Sequence, residues 1–236
     1  MTFNDFLIDF SRSFLFALAT LIPILNPPGA APIFLMLTEG VSASSRAQLA
    51  QRISINICIM LTIAMFAGNI VLDFFGISLS IVRVGGGLLV IASAWQLVNA
   101  SDLDTEHAQN MAGSYTPDQI RAKAFYPLTF PMICGPGTLS AALTVGATLH
   151  DKTMAATLSK FAGSLPAIAV ASLVVYLCLK FAAQFLHKLG PNGTAVLMRM
   201  SSFILLCLGV QIVWDGARDL LLHLLVQAAA LNAGQG

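Results

Sequence analysis

Apolar residues dominate the chain in six long runs that are separated by polar stretches. Charge-free runs occur at 13–38, 53–72, 84–101, 124–150, 161–179 and 200–214. A helix needs about 20 largely apolar residues to cross a bilayer. With partly polar ends included, the pattern predicts six spanning helices, at 12–38, 46–72, 78–99, 124–149, 157–186 and 195–217. The expected fold class is therefore all-α, a polytopic membrane protein.

Polar residues between the third and fourth runs divide the chain into two halves of three spans. The predicted organisation is a first repeat at 1–100, a polar connector at 101–123, a second repeat at 124–222 and a C-terminal tail at 223–236. A repeat with an odd number of spans enters the membrane from opposite sides in its two copies. We therefore expect the repeats to be inverted about an axis in the membrane plane.

A short motif interrupts the first and fourth runs at matching places. Residues 23–29 and 131–137 share the pattern P-x-x-x-x-P-G. Proline removes a backbone donor and clashes with the preceding turn, so each motif stops a helix. In lipid such a break is tolerated only inside protein or beside a watery cavity. The sequence predicts that helices 1 and 4 break at 26–29 and 134–138, with the broken ends close together.

The broken ends form the candidate substrate site. Amides after each glycine would make a positive helix N-terminus for a carboxylate, and freed carbonyls before each break, with the Asn26 side chain, suit an ammonium group or a sodium ion. The alternative is a pair of proline kinks that bind no ligand. The predicted site residues are Asn26, Pro28, Gly29, Ala30, Ala31, Gly135, Pro136, Gly137 and Thr138.

Two arginines occupy equivalent places near the starts of the third and sixth spans. Arg83 and Arg199 each precede a run of small residues. Inversion would put one near each membrane face, so we expect a gating or structural role, through carbonyls or an acid such as Asp73 or Asp215. The alternative is that each side chain only extends to the interface.

The amino-acid composition also indicates a membrane protein rather than a soluble one. Of 236 residues 57% are hydrophobic and 10% are charged, against about 25% in soluble domains. The net charge of +1, without a basic cluster, predicts no nucleic-acid partner; the lipid bilayer is the expected surrounding. Four scattered cysteines without C-x-x-C spacing predict neither a disulfide frame nor a metal site. With both termini outside, the cytoplasmic loops would hold six lysines and arginines and the outer segments would hold four. Because cytoplasmic loops carry an excess of these residues, this orientation is favoured.

Several strings together resemble the MarC family of six-span bacterial inner-membrane proteins, also called the neutral amino acid transporter family. They are residues 26–34, 75–78 with 83–88, 131–138, and Arg199 with 209–211. The resemblance covers nearly the whole chain. It implies a carrier of small neutral amino acids such as glycine and alanine, with import or export left open.

The expected function is a secondary transporter that works by alternating access. No enzyme is predicted, because the chain has no H-E-x-x-H, G-x-S-x-G or P-loop motif. No acidic residue falls well inside a span, so the coupling ion stays open between sodium, a proton and none. The alternative function is a non-transporting membrane scaffold or stress-response protein. No other cofactor is expected, and a homo-oligomer is left open.

Overall fold

The first half of the chain folds into four helices. The computed structural model describes residues 3–38, 40–99, 124–149 and 153–233, and within these ranges it contains helices and no strand. The helices of the first half are α1 (Phe3–Leu25), α2 (Pro27–Leu37), α3 (Ala43–Phe75) and α4 (Leu79–Asn99). The whole polar connector predicted at 101–123 lies, with residue 100, outside the described residues.

The second half repeats this order. It contains an irregular helical segment at Ala124–Ile133, in which Tyr126 and Phe130 have extended backbones, then α5 (Pro136–Leu149), α6 (Met154–Lys180) and α7 (Ala182–Ala233). Gly190, with φ 69° and ψ 176°, divides α7 just before Pro191. The described part of the chain has five helices long and apolar enough to cross a membrane, or six if the bent pair Ala124–Ile133 and Pro136–Leu149 is one span. The all-α, multi-span fold is thus confirmed.

Each spanning helix is apolar on its outer face as well as its inner face. On α3 the inward residues Ile53, Ile57 and Leu61 are fully buried, whereas Ile55 and Ile59 are about half exposed. A helix that is apolar all round belongs in a membrane or a large core. The outer surface of this bundle is therefore suited to lipid.

Two helix ends extend beyond the predicted spans. The first helix begins at Phe3 rather than at residue 12, with Asp5 in its first turn, where a negative charge suits the helix dipole. The last helix continues through Ala233, so most of the segment predicted as a tail is helical. Residues 221–230 consist largely of leucine and alanine, which favour helix.

Helix packing is symmetric under exchange of the two halves. In the first half, α1 packs on α6 and α2 packs on α7; in the second, the Ala124–Ile133 segment packs on α3 and α5 packs on α4. The pairs α3 with α6 and α4 with α7 map onto themselves. Gly76 and Gly190 both have a positive φ, at 66° and 69°, just before the two arginine-containing spans. This is the pattern that an inverted repeat would give, and the inverted relation itself stays a prediction.

Consecutive glycines let α4 approach two neighbours at once. A Cβ on Gly86 would lie 2.3 Å from the Cβ of Ser140 on α5, and a Cβ on Gly87 would lie 2.9 Å from the carbonyl oxygen of Gly209 on α7. A Cβ on Gly85 would meet nothing within 4 Å. The small-residue run therefore serves close helix packing, as small residues do in membrane helices.

Adjacent glycine substitutions should have opposite effects on stability. We expect Gly86→Ala to destabilise the protein by about 1–3 kcal/mol, because its methyl group overpacks the contact with Ser140. Gly85→Ala is the matched control, and should stabilise the protein by about 0.5–1 kcal/mol by removing backbone freedom. Thermal unfolding in detergent measures both, and equal effects of the two substitutions would contradict this packing.

Candidate functional site

The two helix breaks lie on one cavity. Its volume is about 90 Å³, where a single water needs roughly 10–15 Å³ on the same measure. Seven of the nine predicted site residues line it: Asn26, Gly29, Ala30, Gly135, Pro136, Gly137 and Thr138. The expectation that the broken ends of the first and fourth spans come together is therefore met.

The remaining walls place this cavity near the middle of the bundle. Leu89, Val90 and Ser93 line it from the central turns of α4, and Leu205 closes it from α7. None of its lining residues carries a formal charge. The cavity can therefore hold a small, electrically neutral ligand whose polar groups are met by backbone and amide dipoles.

Pro28 and Ala31 do not line the cavity, unlike the other seven predicted site residues. Helix α2 begins at Pro27, earlier than a break over 26–29 implies, and successive residues are then about 100° apart. Gly29, Ala30 and Ile33 share the cavity face. Pro28 is exposed on the opposite face, and Ala31 is buried there.

Asn26 caps the N-terminus of α2 at the first break. It has a left-handed backbone, with φ 45° and ψ 56°. The Gly29 amide donates to the Asn26 Oδ1 atom at 3.3 Å, and the Ala30 amide donates to the Asn26 carbonyl oxygen at 3.0 Å. Pro27 and Pro28 have no amide hydrogen to offer. The prediction that the Ala30 and Ala31 amides await a carboxylate is therefore wrong, because the first turn of α2 is already capped.

At the second break the N-terminus of α5 is not capped. Pro136 begins α5, and the first amide to find an acceptor is that of Leu139, which donates to the Gly135 carbonyl oxygen at 3.1 Å. The amides of Gly137 and Thr138 have no hydrogen-bond acceptor among the described residues. Thr138 is 4% exposed and lines the cavity, and its hydroxyl has no partner in the same part of the chain. Three donors at one helix end are thus unoccupied.

Each break also leaves a carbonyl without its helical donor. Pro28 follows Ile24 by four residues, and Pro136 follows Met132 by four residues. Since proline has no amide hydrogen, neither carbonyl can receive the usual i+4 bond. Ile24 and Met132 both line the cavity. Acceptors from both halves and donors from the second half therefore surround the same small space.

Arg83 forms an ion pair at one end of the bundle. Its Nη1 atom lies 2.5 Å from Asp219 Oδ2, and its Nε atom donates to Thr144 Oγ1 at 3.2 Å. The suggestion that Arg83 pairs with Asp73 or Asp215 is therefore wrong. The Asp215 Oδ1 atom instead accepts a hydrogen bond from the side-chain Nε2 atom of Gln211 at 2.9 Å. Asp219 lies beyond residue 217, where the predicted sixth span ends, whereas the helix continues through Ala233.

A second cavity lies beside this ion pair. It measures about 320 Å³, and its polar walls include Thr20, Arg83, Thr144 and Asp219. Ile24, which is 7% exposed, lines both cavities. Ile24 is therefore a wall shared by the space at the helix breaks and by a space with charged residues at one end of the bundle.

Arg199 lies at the other end of the helix pair formed by α4 and α7. These helices are antiparallel, since Gly216 faces Ser80 and Gly209 faces Ile91. Arg199 is exposed and has no hydrogen-bond or ion-pair partner among the described residues. The two arginines are therefore at opposite ends but have different surroundings.

The bundle and its interrupted helices define an integral membrane protein with discontinuous spans at a central cavity. No group of three or more His, Cys, Asp or Glu side chains that could hold a metal lies in the part of the chain described by the structure. The model of the MarC family integral membrane proteins matches residues 11–221. The chain therefore belongs to the MarC family.

Relatives agree with this assignment. A membrane protein of the UPF0056 group from Methanocaldococcus jannaschii is 33% identical over 89% of this chain and 98% of its own length. One from Archaeoglobus fulgidus is 30% identical over 90% and 96%. The UPF0056 inner membrane protein MarC of Escherichia coli is 23% identical over 91% and 98%. No solved structure matches the chain.

Substitutions of Asn26 should separate its capping role from its other contacts. Asn26→Ala loses the cap and places alanine in a left-handed conformation, so we expect it to lower stability by about 1–3 kcal/mol. Asn26→Asp keeps an oxygen for the Gly29 amide and tolerates this backbone, so it should lose less than half as much. Thermal unfolding in detergent compares them, and equal losses would show that capping is not the stabilising contact.

Proposed function

We propose that this protein is a secondary transporter of small neutral amino acids such as glycine and alanine, and not an enzyme. The observation that carries the proposal is that interrupted helices from both halves line one small, uncharged cavity. Interrupted helices at corresponding positions of two halves are the usual pointer to a transporter binding site. The proposed location is the cytoplasmic membrane with both termini outside, and the name of the Escherichia coli relative supports an inner-membrane setting.

The chemistry of the cavity favours a zwitterion over a charged solute. An amino acid with an ionised side chain would bring a net charge into a space without a countercharge, which costs free energy. A neutral amino acid brings one anionic and one cationic group, and the cavity offers unoccupied amides together with unoccupied carbonyls. The limited volume and the apolar side chains of Val90 and Leu205 favour a compact substrate.

Access to the site would alternate between the two ends of the bundle. Ile24 lines both the central cavity and the cavity at the Arg83 end. Movement of one half against the other would open one end while the opposite end closes. The same movement can serve import or export, and it can be coupled to sodium, to a proton or to no ion.

Counterflow in proteoliposomes tests the proposal. We expect vesicles preloaded with unlabelled glycine or alanine to accumulate external labelled glycine transiently and saturably, because a carrier exchanges its substrates. Lysine and glutamate should not drive the exchange, since the cavity has no countercharge for them. Sodium and proton gradients, imposed separately, identify the coupling ion.

Each alternative function has a distinct result in the same assay. A channel would carry labelled glycine without counterflow and without saturation. A scaffold or stress-response protein would give no flux above that of empty vesicles for any of these amino acids, although the protein is folded. Either result would contradict the proposed carrier.

Neutralising the arginines should shift which end of the site is accessible. The Arg83–Asp219 pair is partly exposed, at 19% and 40%, so its loss is expected to cost about 1 kcal/mol, roughly a fivefold change in the balance of orientations. Arg83→Gln should therefore favour opening at the Arg83 end, with little effect on glycine affinity. Under the proposal Arg199 gains partners in the opposite orientation, so Arg199→Gln should shift accessibility the other way.

Cysteine labelling from each side of the membrane measures this shift. Asp219→Asn is the matched control and should reproduce the effect of Arg83→Gln, and the double variant should add nothing, since both remove one contact. If Arg83→Gln abolishes glycine binding and leaves labelling unchanged, the arginine is a ligand. If neither arginine variant alters labelling or transport, the side chains serve only to reach the membrane interface.

A further inference from the structure

We propose that the two helix breaks bind opposite ends of the ligand, and that its carboxylate binds at the second break, at the amides of Gly137 and Thr138 and the Thr138 hydroxyl. This inference rests on the proposed function, because it takes the ligand to be a zwitterion. It goes beyond that function by assigning an orientation. The expectation from the sequence alone was that both breaks offer amides to a carboxylate.

The two breaks differ at the position that caps the following helix. Aligning the two P-G motifs places Asn26 opposite Cys134. Asn26 accepts from the Gly29 amide through its side chain, whereas the corresponding amide of Gly137 has no acceptor among the described residues. Asparagine is a strong helix cap, while a thiol is only a weak acceptor. The first break is therefore closed and the second is open.

Thr138 supplies the observation that points to a ligand. Its side chain is 4% exposed and lines the cavity, yet its hydroxyl makes no hydrogen bond with any described residue. A threonine in a helix usually bonds a carbonyl of the preceding turn, as Thr144 does with Ser140 at 3.0 Å. An unoccupied hydroxyl beside two unoccupied amides makes a group of three donors, and a carboxylate is the ligand that accepts from several donors at once.

The ammonium group then belongs near the unoccupied carbonyls. Ile24 and Met132 each lose their helical donor to a proline, and both residues line the cavity. Since an ammonium group only donates, it requires acceptors, and the carbonyl oxygens of these two residues are available. The ligand would thus lie with its anionic end on α5 and its cationic end on the carbonyls that precede the breaks.

Binding measurements on the purified full-length protein test this assignment. The probes are glycine, glycinamide, which lacks the carboxylate, and acetate, which lacks the ammonium group. We expect Thr138→Val, which keeps the shape and removes the hydroxyl, to weaken glycine binding roughly 10-fold or more, since hydrogen bonds to charged groups are strong. Any binding of glycinamide should change less than threefold, and Thr138→Ser should restore glycine affinity.

Thr148→Val is the matched control on the same helix. The Thr148 hydroxyl donates to the Val145 carbonyl oxygen at 2.7 Å, and Thr148 does not line the cavity. This variant should leave glycine affinity unchanged. If Thr138→Val binds glycine as well as the wild type does, or loses glycinamide affinity equally, the carboxylate does not bind at the second break.

A second variant tests the assignment from the opposite direction. Cys134→Asn should supply the missing cap to Gly137 and so compete with the carboxylate, lowering glycine affinity roughly 10-fold. Cys134→Ala is its control and should bind glycine normally. If Cys134→Asn remains folded and binds glycine as tightly as Cys134→Ala, the Gly137 amide is not part of the site.

The outcomes separate this inference from the proposed function. Glycine binding that depends on Thr138 without any counterflow would support the inference and overturn the transporter. Counterflow that is indifferent to Thr138→Val would support the transporter and overturn the inference. Absence of glycine binding to the wild-type protein would overturn the inference directly.

Discussion

The requirement that every backbone polar group be paired in a membrane governs this architecture. Lipid offers no hydrogen bonds, so a break in a spanning helix must be buried within protein or face a watery cavity. Both Pro-Gly motifs interrupt apolar spans, and both are placed at the same internal cavity. The other spans surround them, with apolar residues also on their outer faces. The cavity is therefore a direct consequence of where two helices cannot remain continuous.

Small residues allow the surrounding helices to come near enough to enclose the breaks. A Cβ on Gly137 would lie 2.0 Å from Val90 Cγ2, so glycine is required for α5 to approach α4. Gly86 and Gly87 provide similar contacts with α5 and α7. Gly137 thus has two consequences, because it closes the helix packing and leaves a backbone amide accessible beside the cavity.

The spans, the breaks and seven of the residues that line the cavity were predictable from sequence, because hydrophobic runs and proline chemistry act locally. Three features were not. The position of Pro28 on the exposed face depends on α2 beginning at Pro27. The partner of Arg83 depends on how far the last helix extends beyond residue 217 and on its antiparallel packing against α4. The closed state of the first break depends on the backbone conformation of Asn26, which a motif search does not reveal.

Inverted repeats with matching motifs do not have to present matching chemistry. A zwitterion has different charges at its two ends, so a site with identical groups from both halves would pair one of those ends poorly. The exchange of asparagine for cysteine at one aligned position makes the two helix starts differ, because only asparagine caps the amide three residues further along the chain. Under the proposed function, symmetry in the bundle would allow the two orientations of a carrier, while asymmetry at Asn26 and Cys134 would set the orientation of the substrate.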